Sequence, residues 1–152
     1  MPTKEEFKEQ QRRQWSGNAA NWDGMHDRLS REMADVTAWL CRETRMSAGM
    51  RVLDLACGSG HPALDAARLV SPGGSVVATD LVEEMVEATR RRVEAARLTN
   101  LETRVVDMEA IDFPDGEFDA VTCRFGVMFC PDPPQAVREV HRALKPGGRV
   151  AL

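Results

Sequence analysis

The stretch Val52-Leu53-Asp54-Leu55-Ala56-Cys57-Gly58-Ser59-Gly60 constrains this 152-residue chain more than any other. An apolar run passing into Gly-x-Gly reads as a buried parallel strand followed by a tight loop. His61-Pro62 comes next, and Pro62 suits the first turn of a helix, where a missing N–H costs nothing. Glycine at positions 58 and 60 tolerates positive φ and leaves the main chain bare, so that a ligand can approach it closely. The rest of the chain is placed around that turn.

Thr3 and Glu6 form a capping box that predicts a helix over residues 4–15, ended by Gly17. Residues 16–27 mix turn formers with Trp22 and Met25. They predict a loop that either folds back over a pocket or anchors the segment to the core through Trp15 and Trp22. Residues 28–45 predict a helix with Leu29, Met33, Val36, Leu40 and Cys41 on one stripe. Beyond the organising loop, residues 62–70 predict a helix facing inward through Leu64, Ala67 and Val70. Residues 76–80 predict a second strand, and residues 83–98 a helix carrying Met85, Thr89, Val93 and Ala96. Arg90, Arg91 and Arg92 fan around that helix beside Glu87 and Glu94, which predicts a solvated face. Strands follow at 103–106 and 118–123. Asp132, with Gln135 three residues on, caps a helix to Leu144 whose inner stripe is Val137, Val140 and Leu144, and a fifth strand starts at Arg149.

Strand and helix therefore alternate through the second part of the chain. That is the α/β pattern of a Rossmann-like parallel sheet with helices on both faces. Two units emerge: N-terminal lid or cap helices over residues 1–46, and the nucleoside-binding sheet domain over residues 47–152. In such a sheet ligands bind at the carboxyl ends of the strands. Gly58 and Gly60 follow the first strand, Asp80 ends the second, Asp107 and Met108 end the third, and Arg124 follows the fourth. Asp80 lies 20 residues after Gly60, a spacing at which a carboxylate accepts from both ribose hydroxyls.

Two ribose-containing ligands compete. Gly58-x-Gly60-x-x-Ala63 satisfies the dinucleotide fingerprint, a weak signal by itself. Against a dinucleotide stands Asp54, because a carboxylate four residues before the first glycine attracts an ammonium and repels a pyrophosphate. Asp107 and Met108 supply an acceptor and a backbone donor suited to an adenine edge. S-adenosylmethionine is the better fit.

A net charge of −4 with no basic arm argues against a nucleic-acid partner. Cys41, Cys57, Cys123 and Cys130 show no C-x-x-C spacing and no finger-like arrangement with His26, His61 or His141, so no metal site is expected and the thiols read as reduced. No stretch approaches a membrane span and the N-terminus carries no apolar leader, which together predict a cytoplasmic protein.

V-L-D-L-A-C-G-S-G, V-V-A-T-D, V-D-M-E, F-D-A-V and L-K-P-G-G-R-V, in that order over residues 51–152, resemble the successive motifs of class I S-adenosylmethionine-dependent methyltransferases. The segment from Asp107 through Asp132 is most similar to the small-molecule enzymes of the ubiquinone/menaquinone biosynthesis type. The resemblance implies a methyl transfer to a small-molecule acceptor by in-line displacement. It also implies that Asp54 and the loop Ala56, Cys57, Gly58, Ser59 and Gly60 hold the methionine part. Asp80 would hold the ribose, Leu81 and Met85 the adenine faces, Asp107 and Met108 the adenine edge, and the main chain around Arg124 the amino group. Asp119, early in its strand, is expected to be structural.

Asp132-Pro133-Pro134 is similar to the D-P-P-aromatic motif of nucleic-acid aminomethylating enzymes, but Gln135 replaces the aromatic and the segment reads as a helix cap. A general base is optional for so strong a methyl donor; His26 and His61 are the candidates. The family continues past the fifth strand, whereas this chain stops within it. The domain is therefore expected to be incomplete at its C-terminus, with an open sheet edge that invites self-association. Two alternatives remain at this stage: a cofactor-binding fragment without activity, and a nicotinamide-dependent oxidoreductase.

Overall fold

The computed structural model describes residues 2–152. Three helices open the chain: α1 (Lys4–Gly24), α2 (His26–Glu32) and α3 (Ala34–Glu43). Strands and helices then alternate as β1 (Arg51–Leu55), α4 (Ala63–Leu69), β2 (Ser75–Asp80), α5 (Glu83–Ala95), β3 (Leu101–Val105) and β4 (Phe118–Cys123). A 3₁₀ turn (Val127–Phe129) precedes α6 (Pro133–Ala143) and β5 (Leu144–Ala151). The strands make one sheet in the order β3-β2-β1-β4-β5, every pairing parallel. The order reverses at β1, and the crevice beside β4 is where such sheets take ligands.

Side-chain alternation along the strands divides the core into two layers. Val52, Val76, Ala78 and Ala120 meet Leu64, Ala67 and Val70 of α4 and Val93 of α5 on one face. Leu53, Leu55, Val77 and Val121 meet Val140 and Ala143 of α6, with Phe113 set edge-on to Phe118, on the other. Both faces are covered, which is why the strands read as nearly continuous apolar runs.

Several expectations are corrected. α1 does not stop at Gly17 but runs to Gly24, so the expected loop over residues 16–27 is mostly helix. Mid-helix glycine costs only about 1 kcal/mol, and tertiary contacts offset it. Ala19, Trp15 and Trp22 pack against Val82 and Met85, and Ser16 Oγ donates to Glu84 at 2.5 Å. The predicted helix over 28–45 is two helices broken at Met33, whose φ of −105° and ψ of 13° leave the helical range. The arginine run is not a merely solvated face. Arg91 donates to Asp23 Oδ2 at 3.0 Å and Arg92 to the Asp23 carbonyl at 3.1 Å, fastening the C-terminal end of α1 to α5. Ala96 is exposed beyond the end of α5. On α6 the inner stripe is Ala136, Val140 and Ala143, while Val137 is 49% exposed.

Other readings stand. Thr3 and Glu6 make the reciprocal capping box. Asp132 caps α6 by accepting from Gln135 N, with Pro133 in the first turn. Asp119 is structural: its carboxylate accepts from Arg51 N at 2.8 Å and from Lys145 Nζ at 2.9 Å, tying β4 to both neighbours. β5 begins at Leu144 rather than Arg149. Phe118 pairs with Leu144 and Ala120 with Arg149, so residues 145–148 bulge before the regular ladder begins.

Candidate active site

A cavity of about 420 Å³ opens at the carboxyl ends of β1 to β4 and beneath α1. It is built outward from the loop after β1. Ala56 and Gly58 adopt left-handed φ of 52° and 54°, and Gly60 a φ of 126°. Cys57 N donates to Thr79 O at 2.8 Å, which pins the loop to β2. The two glycines have different reasons. A Cβ on Gly60 would stand 2.8 Å from Leu64 Cδ1, so Gly60 lets α4 pack close and does not face the cavity. A Cβ on Gly58 would stand 3.0 Å from Trp22 Nε1, so Gly58 presents bare backbone to the cavity under the indole of α1.

Asp80 accepts from Gly58 N at 3.0 Å and from Val82 N at 3.1 Å, shaping the loop and lining the cavity at once. Burial pushes its carboxyl up to about 6 despite those hydrogen bonds. Leu81 and Met85 line the same wall, with Met85 buried. Asp107 and Met108 complete it at the end of β3. Asp54 lies elsewhere: it is fully buried at the end of β1, outside the cavity wall, with Oδ1 accepting from Thr122 at 2.7 Å and Oδ2 left without a partner. Burial pushes it up to about 7, against the opposing pull of the Thr122 hydroxyl and the Arg124 charge. Ser59 is also outside the cavity and holds His26 Nδ1 at 3.0 Å. The cavity thus gathers Ala56, Cys57, Gly58, Asp80, Leu81, Met85, Asp107, Met108, Arg124 and His61. It leaves out Asp54, Ser59, Gly60 and His26.

Several lining groups were not foreseen. Lys8, on a polar helix, is buried with Nζ 2.7 Å from Asp107 Oδ2 and 2.8 Å from Glu109 Oε2. The signal that could have found it is the period of α1, which puts Lys8 on one stripe with Trp15, Ala19 and Trp22. Arg124 was expected at the site, but not its reach back to Thr37 Oγ1 of α3 at 2.9 Å. Gly126 is required for packing, because a Cβ there would fall 2.3 Å from Ala56 Cβ and 2.8 Å from Cys123 Sγ. The lining also includes an aromatic and apolar group. Trp15 meets Trp22 and Phe129 edge-on at 5.6 Å and 5.1 Å, while Phe125 and Met128 are 50% and 64% exposed at the rim.

The donor set tests which nucleoside ligand fits. Asp80 and Asp107 face the cavity, and Asp54 waits behind the loop with an orphaned oxygen. Among the charged lining groups Asp80, Asp107 and Glu109 stand against Lys8 and Arg124, a small acidic excess that suits a cationic sulfonium and ammonium better than a pyrophosphate. All four thiols are free, and burial pushes Cys41 up to about 11 and Cys123 to about 12, which keeps them protonated. No helix among the described residues is long and apolar enough to cross a membrane, and no cluster of metal-ligating side chains is found among them.

Fold and site define a Rossmann-like domain with a nucleoside-type cleft at its strand ends. The chain belongs to the methyltransferase-domain family, whose profile matches residues 52–148. It is 40% identical over 133 residues to the ubiquinone/menaquinone biosynthesis C-methyltransferase UbiE of Ectopseudomonas oleovorans, covering 86% of this chain and 78% of that protein. Against the protein of the same name from Pseudomonas putida it is 40% identical over 136 residues. That match covers 88% of this chain and 53% of the relative, so the chain spans about half that relative's length. A solved SAM-dependent methyltransferase from Aquifex aeolicus superposes with a TM-score of 0.67 at 28% identity, covering 72% of this chain and 58% of that one.

Proposed function

We propose that the cavity binds S-adenosylmethionine and that the protein transfers its methyl group to an apolar quinol, the reduced form of the quinone class whose biosynthesis the UbiE relatives are named for. The observation that carries this reading is the order of groups along one cleft. Because β1, β2 and β3 are neighbours in the sheet, the bare Gly58 loop, Asp80 and the Asp107-Met108 pair at their ends follow one another along the cavity, as methionine, ribose and adenine do along the ligand. Bound there, the cofactor supplies a methyl group already activated by the sulfonium charge.

The chain's own residues bind, orient and exclude water. Asp80 has lone pairs beyond those taken by Gly58 and Val82, and these accept from ribose hydroxyls. Asp54, raised to about 7 by burial behind the loop, is drawn into its charged form when an ammonium binds beside it. Asp107 accepts from the adenine amino group, and Met85 and Leu81 press on its faces. The apolar lining of Trp15, Phe125, Met128 and Phe129 takes a flat apolar acceptor, and α1, with Met33 beside it, forms the lid that shuts water out.

Calorimetric titration with S-adenosylmethionine, S-adenosylhomocysteine and NAD tests the reading. The first two saturate one site, and Asp80→Ala weakens them about tenfold or more, the loss of two charge-assisted hydrogen bonds. Binding of NAD alone would overturn it. Binding without methylated product from demethylated quinols would leave an inactive cofactor-binding fragment as the better description.

A further inference from the structure

Two histidines, His61 on the cavity wall and His26 stacked on it outside that wall, are not used by the binding reading. His61 follows Gly60 directly and lines the cavity at the end where the methionine part rests in that reading. Its Nδ1 meets Asp65 Oδ2, one turn further along α4. An ionised carboxylate only accepts, so the proton lies on Nδ1 and Nε2 keeps its lone pair. Among the described residues Nε2 has no hydrogen-bond partner, and the side chain retains 16% exposure. The ring of His26 stacks over it, with centroids 4.9 Å apart and planes inclined by 27°. His26 is itself held to Ser59 of the cofactor loop. One ring is therefore fixed in tautomer by Asp65 and in plane by its neighbour.

We infer that His61 is the proton acceptor of the methyl transfer, with Asp65 and His26 as positioning residues. The inference rests on the methyltransferase reading of the cavity. His61 Nε2 takes the proton of the acceptor's hydroxyl, leaving the electron pair on the acceptor. That pair, delocalised to a ring carbon, forms the new bond to the methyl, while the pair of the broken methyl–sulfur bond stays on sulfur. The hydrogen displaced from the methylated ring carbon returns to the oxygen, and the one proton left on His61 passes to water.

Charged groups face the pair from several elements. Asp65 faces His61 from α4, and although burial raises its carboxyl, His61 first, then Arg68 and Arg124, hold it below its usual range. His26 is lowered to about 4 by burial, then by Arg92 of α5 and by His61, against the weaker opposing pull of Asp27 and Asp23. At neutral pH it adds no charge against the one His61 gains.

Two measurements decide the assignment. Long-range ¹⁵N spectra of the imidazoles near neutral pH are expected to show His61 protonated on Nδ1 only; an Nε2–H tautomer or a doubly protonated ring would overturn the inference. In turnover, His61→Gln is expected to lose about 100-fold or more in kcat while S-adenosylhomocysteine affinity by calorimetry stays within about threefold. Asp65→Asn loses less and displaces the acid limb of the kcat profile. A His61→Gln variant that turns over like the parent would refute the role. If the parent binds S-adenosylhomocysteine yet methylates no quinol, the acceptor assignment fails, and the tautomer still decides the dyad.

Discussion

Replacing Lys8 by methionine isolates the charge that ties α1 to the sheet. Methionine keeps the apolar stem and removes the ammonium, so packing loss is small. Three carboxylates surround Nζ, and their surroundings set their weights. Glu5, 3.9 Å away and 81% exposed, contributes at most a few tenths of a kcal/mol. Glu109 is 4% exposed, and its other oxygen already accepts from Asp132 N at 2.8 Å, so it cannot turn to water. Asp107, 22% exposed, borders the cavity and rehydrates in part. Breaking a buried pair by deleting one partner costs about 3–5 kcal/mol. With Asp107 partly relieved, the low end applies, about 3 kcal/mol. For a urea slope of about 2 kcal/mol per molar, the unfolding midpoint falls by roughly 1.5 M. Adding Glu109→Gln to the Lys8→Met protein removes the stranded charge and recovers a substantial part of that loss. A midpoint shift below about 0.5 M with unchanged slope would refute the reasoning, because it would mean that Glu109 is hydrated or protonated without Lys8.

Two further outcomes follow from the packing and the buried acids. Gly126→Ala places a methyl 2.3 Å from Ala56 Cβ; the cofactor loop must shift, with a loss of about 1–3 kcal/mol in thermal or urea unfolding and weaker S-adenosylhomocysteine binding by calorimetry. Asp54, raised to about 7 by burial, favours the fold in its neutral form, so its contribution is full below about pH 4 and is lost as pH rises through about 7. Asp54→Asn therefore loses less stability than the parent between about pH 5 and 8 in urea titrations. His26, lowered to about 4, has the opposite sign and costs stability as pH falls from about 6.5 toward 4.

The alternation of strands and helices was legible because each element carries its own signal. β1, β2 and β4 are apolar runs ending at acids or a loop, and α6 has a cap and a proline in its first turn. The same locality made Gly58, Asp80, Asp107 and Met108 readable as one site, since a parallel sheet sets all its strand ends on one side. α1 was misread for the converse reason. Gly17 is a local stop signal, and what overrides it comes from residues 84, 91 and 92 on another helix.

What the sequence by itself determined is the sheet, its winding and the side on which the cavity opens, because these follow from period, turn chemistry and chain order. Only the tertiary structure decided which acids line that cavity. Asp54 and Asp80 end neighbouring strands in equivalent sequence settings, yet one is sealed behind the loop and the other opens to the cavity. It alone set Lys8 against Asp107 and stacked His26 on His61, 35 residues apart in the chain. Those contacts join elements whose docking depends on the summed burial of whole faces, and no local pattern encodes which side chains then meet.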